Sequence, residues 1–212
     1  MCPFCYIGKR NFESALAQFS QKHLVQVEWK SYQLDPSFED QPEKEVNLYQ
    51  YLSERKGISY EQSVQMHENV VDMAKKVGLV YNFGIAKVTN SFKAHRLVQM
   101  AKLKGLGDAM EERLFLAYFT EGKNIALTEV LTGLGKETGL SEEEVSEALH
   151  DPIYAEKVQL DIQEGHKSGL TGVPFFVFNH KYGISGAHPP ENFLKALEIS
   201  FSEWQMENKQ SI

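Results

Sequence analysis

The chain has 212 residues, of which 42% are hydrophobic and 24% charged, and its formal net charge at pH 7 is −7. This is the composition of an ordinary globular protein, and the length allows a sizeable core with two subdomains. The acidic balance disfavours a general binder of nucleic acid or of anionic membranes, since such proteins present basic surfaces. No apolar run approaches the roughly 20 residues that cross a bilayer, and no basic-then-apolar signal segment opens the sequence. We therefore expect a cytoplasmic protein with neither nucleic acid nor membrane as a partner.

The chain contains only two cysteines, Cys2 and Cys5, and they are separated by two residues. A disulfide scaffold spreads its cysteines along the chain, and a structural zinc site usually takes four Cys or His ligands. The seven histidines show no H-x-x-x-H or H-E-x-x-H spacing, so no metal site is expected. A single Cys-x-x-Cys pair is typical of a thiol–disulfide redox centre. The alternative is a pair of packed cysteines that happen to be close in sequence.

A helix is predicted to begin at this cysteine pair. Apolar side chains recur at helical spacing from Phe12 to Phe19, and Pro3 suits the first helical position because its φ is preset. Cys2 then falls at the N-cap, where unpaired N–H groups and the helix dipole favour an anion. Thiols so placed titrate at about 3.5–7.5 instead of about 8.5. We expect Cys2 to be the attacking thiolate and Cys5, one turn later, the resolving thiol.

The segment after this helix has the alternation of a strand. Apolar and polar side chains alternate from Val25 to Leu34, which predicts a strand with one wetter face, and a polar loop is predicted over residues 36–46. The next hundred residues have helical periodicity instead. Asn47 and Gly57 bound a short helix, and capping boxes begin two others, at Ser59–Gln62 and Ser141–Glu144.

The C-terminal part returns to strands. Asp151-Pro152 opens a helix that ends at Gly169. The apolar run Phe175–Phe178 suits a central strand that is covered on both faces, and Tyr182–Ser185 is its predicted hairpin partner. A last helix follows. The predicted order is helix and strand, a helical insertion, then helix, two strands and helix.

Pro174 opens the predicted buried strand, directly after Thr171-Gly172-Val173. Proline cannot donate to a sheet ladder, so it belongs at the first residue of a strand or at an edge. An ordinary trans proline satisfies this pattern, because cis bonds are only about 5–6% of X–Pro bonds. The residues alone leave the two forms open.

The motifs Cys2-Pro3-Phe4-Cys5 and Thr171–Phe176, separated by a long helical insertion, resemble those of the DsbA-type thioredoxin family. The likeness covers essentially the whole chain, and several further stretches are similar to the FrnE-like cytosolic branch of that family. They are Cys5–Arg10, Asn90–Leu97, Ala117–Phe119 with Glu121-Gly122, and Ile184–Ala187. The resemblance implies an α/β, thioredoxin-like fold with a large all-helical insertion domain.

The resemblance also implies a domain organisation. Residues 1–40 and 151–212 would form the two parts of the thioredoxin-like domain, and residues 41–150 the helical insertion domain. The family has a strand before its cysteine motif, lying between the strands predicted at 25–34 and 175–178, but only Met1 precedes Cys2. Unpaired buried backbone groups would cost on the order of 1–3 kcal/mol each. We therefore hypothesise that the natural protein begins roughly ten residues earlier, about one strand.

The same resemblance assigns site residues. Cys2 and Cys5 would be the catalytic dithiol, and Val173-Pro174 would be the family's cis-proline loop, facing the cysteines and aligning an extended partner. Pro3 and Phe4 would contact substrate and tune the potential. Because neither side chain offers a hydrogen-bond donor to a thiolate, we expect a potential of about −180 to −270 mV, less oxidising than the roughly −120 mV of DsbA.

Three further side chains, those of His95, Arg96 and His188, lie outside the cysteine and proline motifs. The resemblance places His95 and Arg96 on a helix over the cleft, where they would bind substrate by adding positive charge near the thiolate or a substrate carboxylate. The alternative for such a pair is a solvated face or a capping contact. His188 stands where relatives usually have glutamine, and we assign it no role.

The predicted activity is thiol–disulfide exchange on protein or small-molecule disulfides, as a protein disulfide oxidoreductase. No tightly bound cofactor is expected, and glutathione or another thiol could serve as redox partner. One alternative comes from kappa-class glutathione transferases and hydroxychromene-carboxylate isomerases, which share the architecture but generally use a serine or a lone nucleophile. Another is a redox-regulated, chaperone-like binding module.

Overall fold

The computed structural model describes residues 1–39 and 46–209. Within those ranges helices dominate, and one antiparallel pair of strands lies near the C-terminal end. The elements are α1 (Pro3–Gln18), a 3-10 turn (Lys22–Leu24), α2 (Leu48–Lys56), α3 (Tyr60–Lys76), α4 (Phe92–Leu103), α5 (Gly107–Phe119), α6 (Thr128–Glu137), α7 (Glu142–His150), α8 (Pro152–Lys167), β1 (Phe175–Phe178), β2 (Tyr182–Ser185) and α9 (Pro190–Lys209). Among the described residues, no helix has both the length and the apolar character needed to cross a membrane.

The chain divides into two compact units. The terminal unit contains residues 2–27 and those from 164 onward, and the helical unit contains residues 28–163 together with Met1. The division therefore places residues 28–39 and 151–163 in the helical unit, whereas the sequence assigned both segments to the thioredoxin-like parts. Of the loop predicted over residues 36–46, residues 40–45 lie outside the described ranges.

The terminal unit is built from α1, the β1–β2 hairpin and α9. Its core consists of buried apolar side chains from three of these elements. They are Phe12, Ala15, Phe19, Phe178, Phe193 and Leu197. The Phe12 ring packs against Phe176 at a centroid distance of 5.8 Å and meets Phe193 edge-on at 6.0 Å. Burying an aromatic side chain of this size stabilises a fold by roughly 1.5–3 kcal/mol, so this cluster holds the two helices to the hairpin.

The β1–β2 hairpin differs from its predicted form. β1 pairs with β2 in the register Phe175 to Ser185 and Phe178 to Tyr182, and within the described residues it has no second partner strand. Alternate β1 side chains enter the core, whereas Val177 is 44% exposed. The prediction of a central strand covered on both faces is therefore wrong. Outward-facing Phe175 lies over Gly183 instead, where a Cβ would come within 2.8 Å of its ring.

The helical unit follows the local signals of the sequence closely. Both predicted capping boxes are confirmed, at the starts of α3 and α7, where Ser59 and Ser141 each accept a hydrogen bond from the third helical N–H. Asn47 caps α2 in the same way, and Gly57 ends that helix in the left-handed conformation with φ +65°. These signals are reliable because each satisfies terminal backbone groups within a few residues.

The strand predicted from Val25 to Leu34 is absent from the described residues. Side chains of the helical unit hold its second half instead. The Ser31 N–H donates to the buried Asp161 carboxylate at 2.8 Å, and Gln99 of α4 donates to Ser31 Oγ at 2.9 Å and to Asp161 at 2.6 Å. Farther along, Gln33 donates to Asn90 Oδ1 at 2.7 Å. Within the described part of the chain this segment has no ladder partner, so the strand prediction is wrong.

Candidate functional site

The N-terminal turn of α1 presents the cysteine pair. Cys2 is the N-cap, with extended backbone angles of φ −100° and ψ 118°, and Pro3 occupies the first helical position, as predicted. The Cys5 N–H donates to the Cys2 carbonyl at 3.1 Å, which closes the first turn. The Cys2 side chain makes no capping hydrogen bond here, and the dipole of α1 favours a negative charge on its sulfur.

The two cysteines are free thiols, and both are half-buried. The pKa of Cys2 is lowered to about 7, mainly because the Cys5 side chain hydrogen-bonds to it. Burial of the thiol acts in the opposite direction, and the backbone N–H groups of Phe4 and Cys5 lower the pKa further. Cys2 therefore ionises near neutral pH to the thiolate, which is the nucleophilic form of cysteine.

The loop before β1 approaches this thiol. The Val173–Pro174 peptide bond is cis. The Cys2 thiol donates to the Val173 carbonyl, with a sulfur–oxygen distance of 3.6 Å. On its other side, the Pro174 carbonyl accepts from the Gly186 N–H at 2.8 Å, which ties the loop to the residue after β2. The structure thus brings Cys2, Cys5 and the Val173-Pro174 loop together within the terminal unit.

The two residues between the cysteines differ in exposure. Pro3 is half-buried, whereas the Phe4 ring is 37% exposed and stands next to the thiol pair on the same turn. An exposed aromatic side chain beside a nucleophile offers an apolar contact to whatever approaches it. A role of either residue in substrate binding stays a prediction.

The remaining predicted site residues, His95 and Arg96, belong to α4 of the helical unit. Burial lowers the pKa of His95 to about 4, against a hydrogen bond to the Tyr32 backbone that raises it. With this pKa the ring is mainly neutral at pH 7, which does not support a positive charge from His95. Arg96 donates at 2.9 Å to the carbonyls of Ala148 and Asp151, which is the capping contact considered above. Substrate binding by either residue stays a prediction.

His188 makes three hydrogen bonds that the sequence did not predict. Its Nε2 donates to the Ser185 carbonyl at 3.0 Å, which fixes the tautomer because a carbonyl can only accept. Its Nδ1 then accepts from Asn192 of α9 at 3.0 Å, and its carbonyl accepts from Asn11 of α1 at 2.9 Å. His188 therefore joins the end of β2 to both helices of the terminal unit.

Gly8 is a second residue whose role in the site the sequence did not predict. It is buried in α1, and an added Cβ would lie 3.2 Å from Pro174 Cγ and 3.3 Å from Phe176 Cζ. A glycine inside a predicted helix was the only signal available, and its meaning depends on what packs against it. Among the described residues, no three His, Cys, Asp or Glu side chains converge as a metal site requires.

The chain is similar to proteins from several bacteria. It is 29% identical over 199 residues to the uncharacterized protein YwbO of Bacillus subtilis (strain 168), which covers 93% of this chain and 91% of that protein. A crystal structure of a "probable DsbA oxidoreductase" from Streptomyces coelicolor superposes with a TM-score of 0.89 at 35% identity, covering 95% of this chain and 86% of the other. The cytosolic disulfide reductase DsbM from Pseudomonas aeruginosa shares the fold, with a TM-score of 0.65 at 19% identity over 95% of each chain.

These similarities confirm the predicted fold class, a thioredoxin-like DsbA fold that here is mostly helical with a small two-stranded sheet. They also support thiol–disulfide oxidoreduction as the general activity. The model of the DSBA-like thioredoxin domain matches residues 1–198. The chain therefore belongs to the DSBA-like thioredoxin domain family.

Proposed function

We propose that this protein is a thiol–disulfide oxidoreductase that acts through Cys2 and Cys5 on protein or peptide disulfides. The observation that carries the proposal is the arrangement around the Cys2 sulfur. This sulfur lies at a helix N-cap with its pKa lowered to about 7 by the Cys5 side chain, and 3.6 Å from the Val173 carbonyl. A thiol that ionises near neutral pH beside a second thiol is suited to disulfide exchange, because the best attacking thiol has a pKa near the ambient pH.

The reaction takes place in two exchanges. The Cys2 thiolate attacks one sulfur of the substrate disulfide, the substrate S–S bond breaks, and the second substrate sulfur leaves as a thiolate that takes up a proton. Cys5 then loses its proton and attacks the Cys2 sulfur of the mixed disulfide. The remaining substrate thiol is released, and a Cys2–Cys5 disulfide forms. The substrate gains two electrons and the protein loses two, and the reverse sequence oxidises a substrate dithiol.

The Val173-Pro174 loop would align the substrate in this scheme. Its support is the contact between the Val173 carbonyl and the reacting sulfur, which puts main-chain polar groups where an extended peptide could pair with them. The exposed Phe4 ring, two residues after Cys2, would add an apolar contact. Substrates with an extended, uncharged segment around the disulfide fit this arrangement.

Glutathione or another small thiol would return the oxidised pair to the dithiol state, with two thiols becoming one disulfide. No tightly bound cofactor is needed, because the two sulfurs carry both electrons. We place the protein in the cytoplasm, in the FrnE-like branch of the family, where a single Cys-x-x-Cys pair is more often catalytic than a permanent crosslink. A potential of about −180 to −270 mV would suit a reductase in that compartment.

The two cysteines provide a direct test. Wild-type protein, Cys2→Ser and Cys5→Ser are each incubated with one disulfide-bonded peptide and reduced glutathione. We expect wild type to reduce the peptide and Cys2→Ser to form no adduct. In a parallel incubation without glutathione, Cys5→Ser should retain the peptide as a mixed disulfide on Cys2, visible by intact mass, because no resolving thiol is present.

Other outcomes would favour the alternatives. Full turnover by Cys5→Ser would contradict dithiol chemistry and favour a glutathione-dependent transferase or isomerase with a lone nucleophile. If wild type shows no turnover and Cys5→Ala still binds an unfolded client protein, the redox-regulated binding module is favoured. If no Cys2–Cys5 disulfide forms in any glutathione buffer, the proposal is wrong.

A further inference from the structure

The close approach of α1 to the loop before β1 takes place at Gly8. This residue is buried, and a Cβ added to it would lie 3.2 Å from Pro174 Cγ and 3.3 Å from Phe176 Cζ. Both distances are shorter than an ordinary carbon–carbon contact of about 3.5–4.0 Å. The loop therefore packs against bare helix backbone, and any side chain at this position would have to displace one of its two neighbours.

The Phe176 ring has little freedom to move away. Its centroid is 4.6 Å from that of Phe193 and 5.8 Å from that of Phe12. Both partners belong to the buried core of the terminal unit, so a shift of this ring would disturb packing on two sides. The displacement would fall on Pro174 instead.

A displacement of Pro174 by a side chain at Gly8 would in turn move Val173. The Pro174 carbonyl is held by the Gly186 N–H at 2.8 Å, which anchors the side of the loop that enters β1. On the other side, Gly172 has open space, since a Cβ placed there would meet no atom within 4 Å. The freedom to move thus lies in the segment that carries the Val173 carbonyl.

We propose that Gly8 is a positioning residue for the Cys2 site, and that its missing side chain allows Val173 to lie 3.6 Å from the Cys2 sulfur. Cys2 and Gly8 are parts of one helix end, so a loop pushed away from Gly8 also moves away from Cys2. The catalytic consequence of this inference rests on the proposed function, whereas its effect on the thiol does not.

The direction of the effect follows from the hydrogen bond. The Val173 carbonyl accepts from the Cys2 thiol, and an acceptor stabilises the protonated form over the thiolate. Moving the carbonyl away would favour the thiolate and lower the pKa of Cys2. It would also make the Cys2–Cys5 couple more oxidising, since a more stable thiolate stabilises the reduced protein. A substrate aligned by Val173 would bind less well.

The test compares Gly8→Ala with Gly133→Ala. Gly133 lies in α6 of the helical unit, is exposed, and has no atom within 4 Å of an added Cβ. Both variants replace a helical glycine by alanine, so the gain in helix propensity is matched. Thiolate absorbance is followed against pH, and kcat and KM are measured with one disulfide-bonded peptide.

We expect Gly8→Ala to lower the pKa of Cys2 by about 0.5, from the loss of one weak S–H to carbonyl bond, and to raise KM severalfold with a smaller change in kcat. Gly133→Ala should change neither. An unchanged or raised pKa in Gly8→Ala overturns the inference whatever happens to its Tm, because a purely structural role would change stability alone.

Two further points keep the test decisive. If Gly8→Ala does not fold, the double variant Gly8→Ala with Phe176→Leu is titrated in its place, because the shorter side chain removes the ring atoms at 3.3 and 3.4 Å. If wild type shows no disulfide turnover, the proposed function fails, but the titration still decides the role of Gly8. If wild type turns over and the glycine variant matches it in pKa and KM, only the Gly8 inference fails.

Discussion

At the scale of single residues, the acidity of Cys2 is set within one helical turn. The Cys5 side chain is the largest cause that lowers the pKa of Cys2 to about 7, and the neighbouring N–H groups of Phe4 and Cys5 assist it against the cost of burial. Together with the N-terminal amino group, which also lowers this pKa, all of these groups lie within the first five residues. The reactivity of the thiol was therefore predictable from sequence, because a helix start and its orphan N–H groups are local features.

The assignment of the lowered Cys2 pKa to the Cys5 side chain predicts how the rate of Cys2 alkylation depends on pH. Only the thiolate reacts, so the rate with iodoacetamide should rise through a midpoint near pH 7 in the reduced protein. Cys5→Ala removes the largest cause of the lowered pKa, and its midpoint should lie higher. The measurement is the modification rate by intact mass at a series of pH values. Equal midpoints for wild type and Cys5→Ala would contradict the assignment.

At the scale of elements, Arg96 links two helices of the helical unit. Its guanidinium donates to the carbonyls of Ala148 in α7 and of Asp151 just beyond it, where the helix leaves carbonyl groups unpaired. These contacts use the planar fork of arginine, with two donors aimed at two acceptors. These two hydrogen bonds, both within the helical unit, identify Arg96 as a cap of the C-terminal end of α7.

This role predicts a loss of stability on substitution. Arg96→Ala should lower the free energy of unfolding by about 1–2 kcal/mol, because two hydrogen bonds from a charged donor are lost. Arg96→Lys keeps the charge but not the fork, so it should recover only part of that loss. Urea unfolding of both variants checks the order. A lysine variant as stable as wild type, or a raised KM without loss of stability, would favour the charge-based role predicted from the sequence.

The segment from Val25 to Leu34 shows that the periodicity of a sequence does not predict the hydrogen-bond partners of its backbone. Alternation from Val25 to Leu34 predicted a strand, but the Ser31 N–H donates to Asp161 and the Ser31 hydroxyl accepts from Gln99. Alternation reports which side chains face water, and it does not report what the backbone groups pair with. The pairing partners are 68 and 130 positions away in sequence.

At the scale of the whole molecule, the pH dependence of stability includes a buried histidine in the core of the helical unit. The His67 ring lies between Tyr49 and Phe83, at centroid distances of 4.9 and 4.7 Å. Its Nδ1 donates to the Ser63 carbonyl at 2.7 Å. Burial lowers the pKa of His67 below its ordinary value of 6.5, so the folded protein favours the neutral ring.

The sign of the effect follows from linkage. As the pH falls below about 6.5, the unfolded chain takes up a proton on His67 before the folded protein does, so stability decreases until the pH reaches the lower folded-state pKa. His67→Phe keeps an aromatic ring in place but removes the titratable group. Its Tm should therefore fall less than that of wild type between about pH 7 and pH 5. Equal decreases in Tm would contradict the prediction, and His23→Phe, at an exposed position, is the matched control.

The sequence by itself determined the features that depend on neighbours within a few residues. The helix start at Pro3, the N-cap position of Cys2 and the capping boxes at Ser59 and Ser141 are of this kind. The overall family also followed from the sequence, because its two short motifs keep their order and spacing along the chain.

Tertiary structure decided the features whose meaning depends on distant partners. It packed Gly8 against Pro174, left Val177 exposed on a strand expected to be covered, and lowered the pKa of the half-buried His95 ring. In each case the residue type was visible from the start. The role of each residue depends on its burial or on partners far along the chain, and neither can be predicted from local propensity.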